Sequence, residues 1–291
     1  MKPPAFDYYR PASVAEAVKV LAELGPDAKV LAGGQSLVPL LNMRLAAPKA
    51  LVDINRLDEL AALTTSPTAV RVGALVRHSA LLRDREAGAV LPLLGQATRH
   101  VAHETIRNRG TTVGSLVHAD PAGEMPAVLL LCDGTVQVVS AEAERDVPAA
   151  QFFLGPLESA VRPGELAVSA TFPVPPGRTG SAWVEVSRRA GDYALCGVGV
   201  FVTLTDDLTV ESARAAYISV GPTPVLVDLT DAVGGAPHDA ADWAAAGALA
   251  QGRVAAEDDI HATADYRRHL VGVLTERAGR AAVEHARERH G

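Results

Sequence analysis

The apolar residues near the start of the chain follow the period of a helix. Ser13 precedes an amphipathic run over 14–24, and Glu16 stands three residues after that serine. A serine followed three residues later by glutamate is typical of a capped helix start. Gly25 ends the run, as glycine commonly does after the last turn. The pattern therefore predicts a helix over 14–24.

Two short apolar runs beyond this helix indicate strands at 28–32 and 50–55, with a helix from 37 to 46 between them. Gly33 and Gly34 follow the first strand directly. This order places a glycine turn at the carboxyl end of a strand, where open α/β sheets usually bind ligands.

The middle of the chain mixes alternating and helical patterns, and a Pro/Gly-rich stretch at 173–180 predicts a linker. The remainder predicts a run of strands followed by a run of helices, which is the α+β pattern. The strands of that second part are predicted near 181–189, 196–205 and 208–221, and its helices near 238–251 and 263–288.

Composition narrows the class of protein. The 291 residues are 48% hydrophobic but only 4% aromatic, so Ala, Val and Leu must build the core. A net charge of −7 without a basic cluster argues against a nucleic-acid partner. No apolar run is long enough to cross a membrane, and the first residues do not resemble a signal peptide. We therefore expect a cytoplasmic protein, with Cys132 and Cys196 as buried thiols rather than metal ligands.

Two glycine loops carry the first candidate chemistry. The first is AGGQS at 32–36, which matches neither a P-loop nor a dinucleotide-binding fingerprint and could be a plain turn. Gln35 and Ser36 favour binding, because a structural turn does not need their side-chain donors. The second loop, within RNRGTTVGSLVHADPAGE at 107–124, leads into a helix, whose free N–H groups suit a phosphate. Together the two loops predict one elongated pocket for a cofactor that contains pyrophosphate.

Three other side chains have both an ordinary and a functional interpretation. Asp120 and Glu124 could favour a helix dipole or accept hydrogen bonds from sugar hydroxyls, and the residues alone do not decide. Tyr193 could be a surface tyrosine or a ring against a flat cofactor. His118 has no evident catalytic partner, so we expect a structural role. No catalytic group and no metal site is predicted.

With these motifs in hand, the chain resembles the FAD-binding medium subunit of the molybdenum hydroxylases, the group of carbon monoxide dehydrogenase and xanthine dehydrogenase. The resemblance covers essentially the whole chain. It rests on AGGQSLVPLLNMRLAAP at 32–48, VDIN at 52–55, IRNRGTTVGSLVHADPAGEMPAVLL at 106–130 and RRAGDYAL at 188–195. Many relatives carry TVGGS or TIGGN where this chain has TTVGS, so one loop glycine is lost and Gly114 remains.

The resemblance implies an α+β fold in two parts. Residues 1–176 would form an FAD-binding domain of the vanillyl-alcohol-oxidase (PCMH) type, with subdomains at about 1–56 and 57–176. Residues 177–291 would form the flavoprotein C-terminal domain, with a three-stranded antiparallel sheet and helices.

The resemblance also implies which residues hold the cofactor. The pyrophosphate would lie on the first loop, at Ala32, Gly33, Gly34, Gln35 and Ser36, and on the second, at Thr111, Thr112, Gly114 and Ser115. Lys29 would lie near the adenosine, Glu124 near the sugar-like chain, Val101 and Val161 along the cofactor, and Tyr193 beside the isoalloxazine.

The function implied by the resemblance is electron transfer. FAD, bound non-covalently, would take electrons from a small [2Fe–2S] subunit and pass them to an external acceptor, while substrate is oxidised on a large molybdopterin subunit. A dimer of heterotrimers is the expected assembly. The alternatives are a stand-alone flavin oxidase of a small molecule and a cofactor-free interaction subunit whose loops are only turns.

Overall fold

The computed structural model describes residues 2–289. Its first unit is a small parallel sheet with strand order β1-β3-β2. Its elements are β1 (Asp7–Tyr9), α1 (Val14–Leu24), β2 (Ala28–Leu31), α2 (Leu37–Met43) and β3 (Ala50–Asp53). The predicted alternation of helix and strand is confirmed. Ser13 Oγ accepts a hydrogen bond from the Glu16 N–H, and Gly25 ends α1 with a positive φ of 58°.

A second unit is built on a five-stranded antiparallel sheet with order β4-β5-β10-β6-β7. Its strands are β4 (Leu63–Thr65), β5 (Ala69–Gly73), β6 (Thr135–Val139), β7 (Glu144–Pro148) and β10 (Leu166–Pro173), beside a small hairpin of β8 (Phe153–Gly155) and β9 (Glu158–Ser159). Its helices are α3 (His78–Arg83), α4 (Arg85–Val90), α5 (Pro92–Thr98), α6 (Glu104–Arg107), α7 (Thr112–His118), α8 (Glu124–Leu131) and α9 (Ala149–Phe152). Buried apolar residues of both sheets, of α5 and of α8 belong to one core.

The C-terminal part has its own core between an antiparallel sheet and three helices. Its strands, in the order β11-β12-β13-β14, are β11 (Arg178–Ser187), β12 (Ala194–Leu204), β13 (Val210–Ile218) and β14 (Val225–Asp228). Its helices are α10 (Thr230–Val233), α11 (Trp243–Gln251) and α12 (Ala264–Arg289). The prediction of three strands was wrong by one. β14 has only four residues, lies at the sheet edge and exposes two of them, so its short apolar run VLV was not recognised as a strand.

Only residues 174–177 separate β10 from β11, so both ends of the predicted linker belong to strands. The two parts of the chain also contact each other away from this connection. Gln96 donates to the Ser181 carbonyl, and the Arg289 guanidinium at the end of α12 donates to the carbonyls of Ala89 and Val90. Among the helices of residues 2–289, none combines the length and apolarity needed to cross a membrane.

Candidate functional site

The two glycine loops touch each other through their backbones. A Cβ atom added to Gly33 would lie 2.4 Å from the Arg109 carbonyl oxygen and 2.8 Å from Gly110 Cα. Both neighbours are main-chain atoms, so no side chain fits between the loops. The structure therefore brings 32–36 and the start of the second loop together, as two adjoining walls.

The first loop presents a run of free backbone donors. Gly34 has a positive φ of 73°, which favours glycine. The N–H groups of Gly34, Gln35 and Ser36 donate no hydrogen bond to any described residue. The Gln35 side chain is used locally, because its Nε2 donates to the Gly33 carbonyl at 3.0 Å. Three consecutive unsatisfied donors before a helix are suited to an anionic group.

The second loop is organised differently, because α7 begins within it. Thr111 Oγ1 caps that helix by accepting the Gly114 N–H at 3.1 Å, and a Cβ on Gly114 would lie 2.6 Å from this oxygen. Thr112 is fully buried, and its N–H donates to the Val76 carbonyl. Of the three hydroxyls considered as ligand donors, two are thus buried, whereas Ser115 is half-buried. Gly114 is required because the cap fills the space of its side chain.

A polar bridge that the sequence did not reveal sets the spacing of the loops. Asn55 Nδ2 donates to the Ala32 carbonyl at 2.8 Å, and Asn55 Oδ1 accepts from Arg77 Nη2 at 2.6 Å. Arg77 Nη1 in turn donates to the Arg109 carbonyl at 2.6 Å. The bridge therefore joins a carbonyl of the first loop to one of the second. Asn55 ends the VDIN segment that had been singled out, but nothing in the sequence around Arg77 marks that arginine.

The bridge continues to the first strand. The Tyr8 hydroxyl donates to Asp53, whose Oδ1 also accepts from the backbone and side-chain nitrogens of Asn55 at 2.9 Å and 2.6 Å. Burial opposes ionisation of Asp53, but the hydrogen bonds from Tyr8 and Asn55 outweigh it and hold its pKa below the ordinary value. The carboxylate is therefore a fixed acceptor that orients Asn55.

Glu124 is the first residue of α8, and its carboxyl group hydrogen-bonds to no other described side chain. Burial, and secondly the Glu185 carboxylate, raise its pKa to about 8. Glu185 comes from β11 and has its own partners, Trp183 Nε1 at 3.0 Å and His100 Nδ1 at 3.3 Å. A recessed carboxyl group without a side-chain partner suits hydrogen bonding to a polyhydroxyl ligand.

The other predicted site residues are more dispersed. Val101 and Val161 are half-buried against the main core, and Lys29 is exposed on β2. Tyr193 lies in the turn between β11 and β12 and is 69% exposed. Burial of its hydroxyl and the Asp120 carboxylate raise the pKa of Tyr193, so its polar end faces the acidic residues after α7.

Comparison with known proteins agrees with this geometry. Residues 4–175 match the family described as the FAD-binding domain in molybdopterin dehydrogenase, and residues 181–282 match the CO dehydrogenase flavoprotein C-terminal domain. The chain belongs to the FAD-binding medium subunits of the molybdenum hydroxylases. The family resemblance inferred from the sequence motifs is confirmed.

Individual relatives of this medium subunit span its length. It is 41% identical over 295 residues to the 6-hydroxypseudooxynicotine dehydrogenase complex subunit alpha of Paenarthrobacter nicotinovorans, covering 99% of this chain and 97% of that one. It is 34% identical over 290 residues to the carbon monoxide dehydrogenase medium chain of Afipia carboxidovorans, covering 99% of each. Its structure matches a chain of quinoline 2-oxidoreductase from Pseudomonas putida 86 with a TM-score of 0.92 and 35% identity, over 98% and 99% of the chains.

The medium subunit is thus the FAD-binding part of a multi-subunit oxidoreductase with large and small partner subunits. The chain's own residues fit this cofactor. The free N–H groups of Gly34, Gln35 and Ser36 match a pyrophosphate, and the Glu124 carboxyl group matches a sugar-like chain. The relatives are subunits of dehydrogenase complexes, which favours this function over a stand-alone oxidase.

Proposed function

We propose that the medium subunit holds FAD along the line from the glycine loops to the C-terminal hairpin. The pyrophosphate lies on the N–H groups of 34–36 and on the start of α7, and Lys29 lies towards the adenosine. Glu124 bonds the ribityl chain, Val101 and Val161 line the cofactor, and Tyr193 lies beside the isoalloxazine. One observation carries the proposal, namely the three free donors of a loop whose Gly33 lies in backbone contact with the second loop.

In this scheme the protein binds and orients, while the bound flavin supplies the redox chemistry. The bridge through Asn55 and Arg77 keeps the two loops at a fixed distance, and Glu124 presents a carboxyl group that is largely protonated at neutral pH. The scheme gives none of these residues a bond-breaking step, so substrate oxidation belongs to the partner that carries molybdopterin.

The assembly is proposed in the same terms. Electrons pass from the [2Fe–2S] subunit through FAD to an external acceptor, and the complex is a dimer of heterotrimers in the cytoplasm. The free, buried thiols Cys132 and Cys196 are consistent with a reducing compartment. The domains are 1–176, with subdomains near 1–56 and 57–176, and 177–291. The sheet boundaries and the short connection at 174–177 support this division.

The test is an absorption spectrum of the purified chain before and after acid precipitation. Flavin bands that move into the supernatant are the expected result, because the proposed binding is non-covalent. Bands that stay with the precipitated protein would indicate a covalent flavin and contradict the proposal. If neither the chain nor its complex with the partner subunits binds added FAD, the proposed cradle is wrong.

A further inference from the structure

A cavity of about 740 Å³ opens beside Tyr193, and no residue of 32–36 or 111–115 lines it. Of the residues proposed to hold FAD, Tyr193 alone is part of its wall. The remaining wall comes mainly from the C-terminal part, at 188–195, 219–222 and 255–261, with 120–122 closing one side. A volume of this size is typical of a small-molecule site. The cavity is therefore a separate chamber that shares one wall with the flavin end of the cofactor site.

The chamber wall is held by one buried arginine. Arg267 is 5% exposed and donates to the carbonyls of Leu195 and Ser219 at 2.7 Å and 2.8 Å. It also pairs with Asp259 at 2.6 Å, which cancels both charges. Three separate segments are thus tied together around the opening, which gives the chamber a defined shape.

The charges that remain around the chamber are mostly negative. Asp120, Asp192, Glu257 and Asp258 lack an Arg or Lys partner within residues 2–289, and Arg188 is the one lining cation not paired with a carboxylate. Such a rim repels phosphate groups and attracts cations. Next to it, Ile260 is 89% exposed, so the approach is also apolar.

We propose that this chamber admits the external electron acceptor, and that the acceptor is a flat molecule without phosphate groups, uncharged or cationic. The inference rests on the proposed position of FAD behind Tyr193. The ring of Tyr193 is largely exposed, so an acceptor in the chamber can contact the side chain that is proposed to lie beside the isoalloxazine. The acidic rim excludes a nicotinamide dinucleotide, whose pyrophosphate carries negative charge.

The test measures reoxidation of the FAD-loaded protein after anaerobic reduction with dithionite. The probes are hexacyanoferrate(III), 1,4-benzoquinone and hexaammineruthenium(III). Benzoquinone takes two electrons and two protons from the reduced FAD and leaves as hydroquinone. With either metal complex, two molecules take one electron each and two protons pass to solvent. Each probe is compared across variants, so differences in their driving force cancel.

The charge variant is Glu257→Gln/Asp258→Asn. The amide introduced in place of Asp258 retains an oxygen that can accept the Ala264 N–H, so the local fold is kept. Reoxidation by the ruthenium complex should slow by about threefold or more and that by hexacyanoferrate(III) should accelerate similarly, both effects fading at high salt. Benzoquinone should be unaffected. The matched control is Asp206→Asn/Glu211→Gln, which should change none of the rates. Asp206 follows the last residue of β12 and Glu211 lies at the start of β13, whereas Tyr193 precedes the first residue of β12.

The second variant, Ala255→Trp, places an indole in the chamber wall. Reoxidation by all three probes should slow several-fold, with FAD content and dithionite reduction unchanged. Loss of FAD from this variant would mean that the cofactor itself fills the chamber, and unchanged rates in both variants would mean that acceptors approach elsewhere. Either result overturns the proposal. Failure of both the wild-type chain and its complex with the partner subunits to bind added FAD would instead refute the proposed cofactor site.

Discussion

Gly33→Ala is the sharpest perturbation of the cofactor cradle, because it adds a single methyl group between the two loops. The new carbon would lie 2.4 Å from the Arg109 carbonyl oxygen and 2.8 Å from Gly110 Cα. Neither atom can rotate away, since both belong to the main chain. The added methyl group would therefore push the second loop away from the first.

The size of the effect follows from these distances. Relief of the contact needs a separation of about 3.5 Å, so the loops must move apart by roughly 1 Å. Hydrogen bonds to a ligand held by both loops then stretch from about 2.9 Å to nearly 4 Å, beyond useful range. Each bond to a charged group contributes about 1.5–3 kcal/mol. Loss of two costs about 3 kcal/mol or more, which weakens FAD binding on the order of 100-fold.

The assay is titration of the apo-protein with FAD, followed by flavin fluorescence. Gly95→Ala is the matched control, because a methyl group at this helical glycine meets no atom within 4 Å. It should bind FAD as the wild type does. Urea denaturation of both apo-variants shows whether the fold survives. If folded Gly33→Ala binds FAD as tightly as the control, the contact between the loops does not shape the site.

Three further predictions concern other parts of the molecule. The pKa of Glu124 is raised to about 8 by burial and by Glu185, so the folded chain keeps a proton that the unfolded chain releases above 4.5. Glu124 should therefore make the apo-protein less stable as pH rises from about 5 to 8, by up to about 1.4 kcal/mol per pH unit. His78, whose pKa burial lowers to about 4, contributes a slope of opposite sign below about pH 6.5. In urea denaturation Glu124→Gln should therefore lose the Glu124 contribution, most clearly between about pH 6.5 and 8. Tyr193→Ala should melt as the wild type does, because the ring is largely exposed, but should change the absorption spectrum or reduction rate of bound flavin. Gly180→Ala should destabilise the protein by at least about 2 kcal/mol in urea denaturation, since its Cβ would lie 2.0 Å from the Ala282 carbonyl oxygen on α12.

Each of these predictions has a result that contradicts it. An unchanged pH slope in Glu124→Gln would assign the proton uptake to another group. Besides Glu185, the charges that affect the pKa of Glu124 are those of Asp120 and Arg107. An identical flavin spectrum and reduction rate would remove Tyr193 from the site. For Gly180→Ala the comparison is Gly88→Ala, a helical glycine with open space around it. Equal stability of the two variants would show that β11 and α12 can separate freely.

The sequence predicted the elements whose signals are local. Ser13 with Glu16 marked the start of α1, and the apolar runs marked β2, β3 and the long strands of the C-terminal sheet. The glycine loops could be predicted because their glycines stand beside polar residues in short motifs, such as AGGQS at 32–36. Their adjacency was predicted from their shared chemistry, which suggested two walls of one pocket for a cofactor that contains pyrophosphate.

Other features depend on contacts between distant segments, which local patterns cannot show. Arg77 contacts Arg109 and Asn55 only after folding, and nothing beside it in the sequence distinguishes it from a surface arginine. Arg267 resembles a solvated residue of α12, yet it is buried because two carbonyls and Asp259 converge on it. Thr111 was expected to bind a ligand, but a helix start requires a cap and the hydroxyl serves there.

The bridge through Asn55 and Arg77 also has a consequence for discrimination among flavins. Because the loops are fastened to each other, the donors at 34–36 are in position before any ligand arrives, and binding does not have to order them. FMN and riboflavin share the isoalloxazine of FAD but lack its pyrophosphate. They would leave those donors without a partner, and a rigid cradle cannot close the gap. In the proposed site, selectivity for the dinucleotide flavin would therefore follow from the spacing of two turns and not from the ring that carries the electrons.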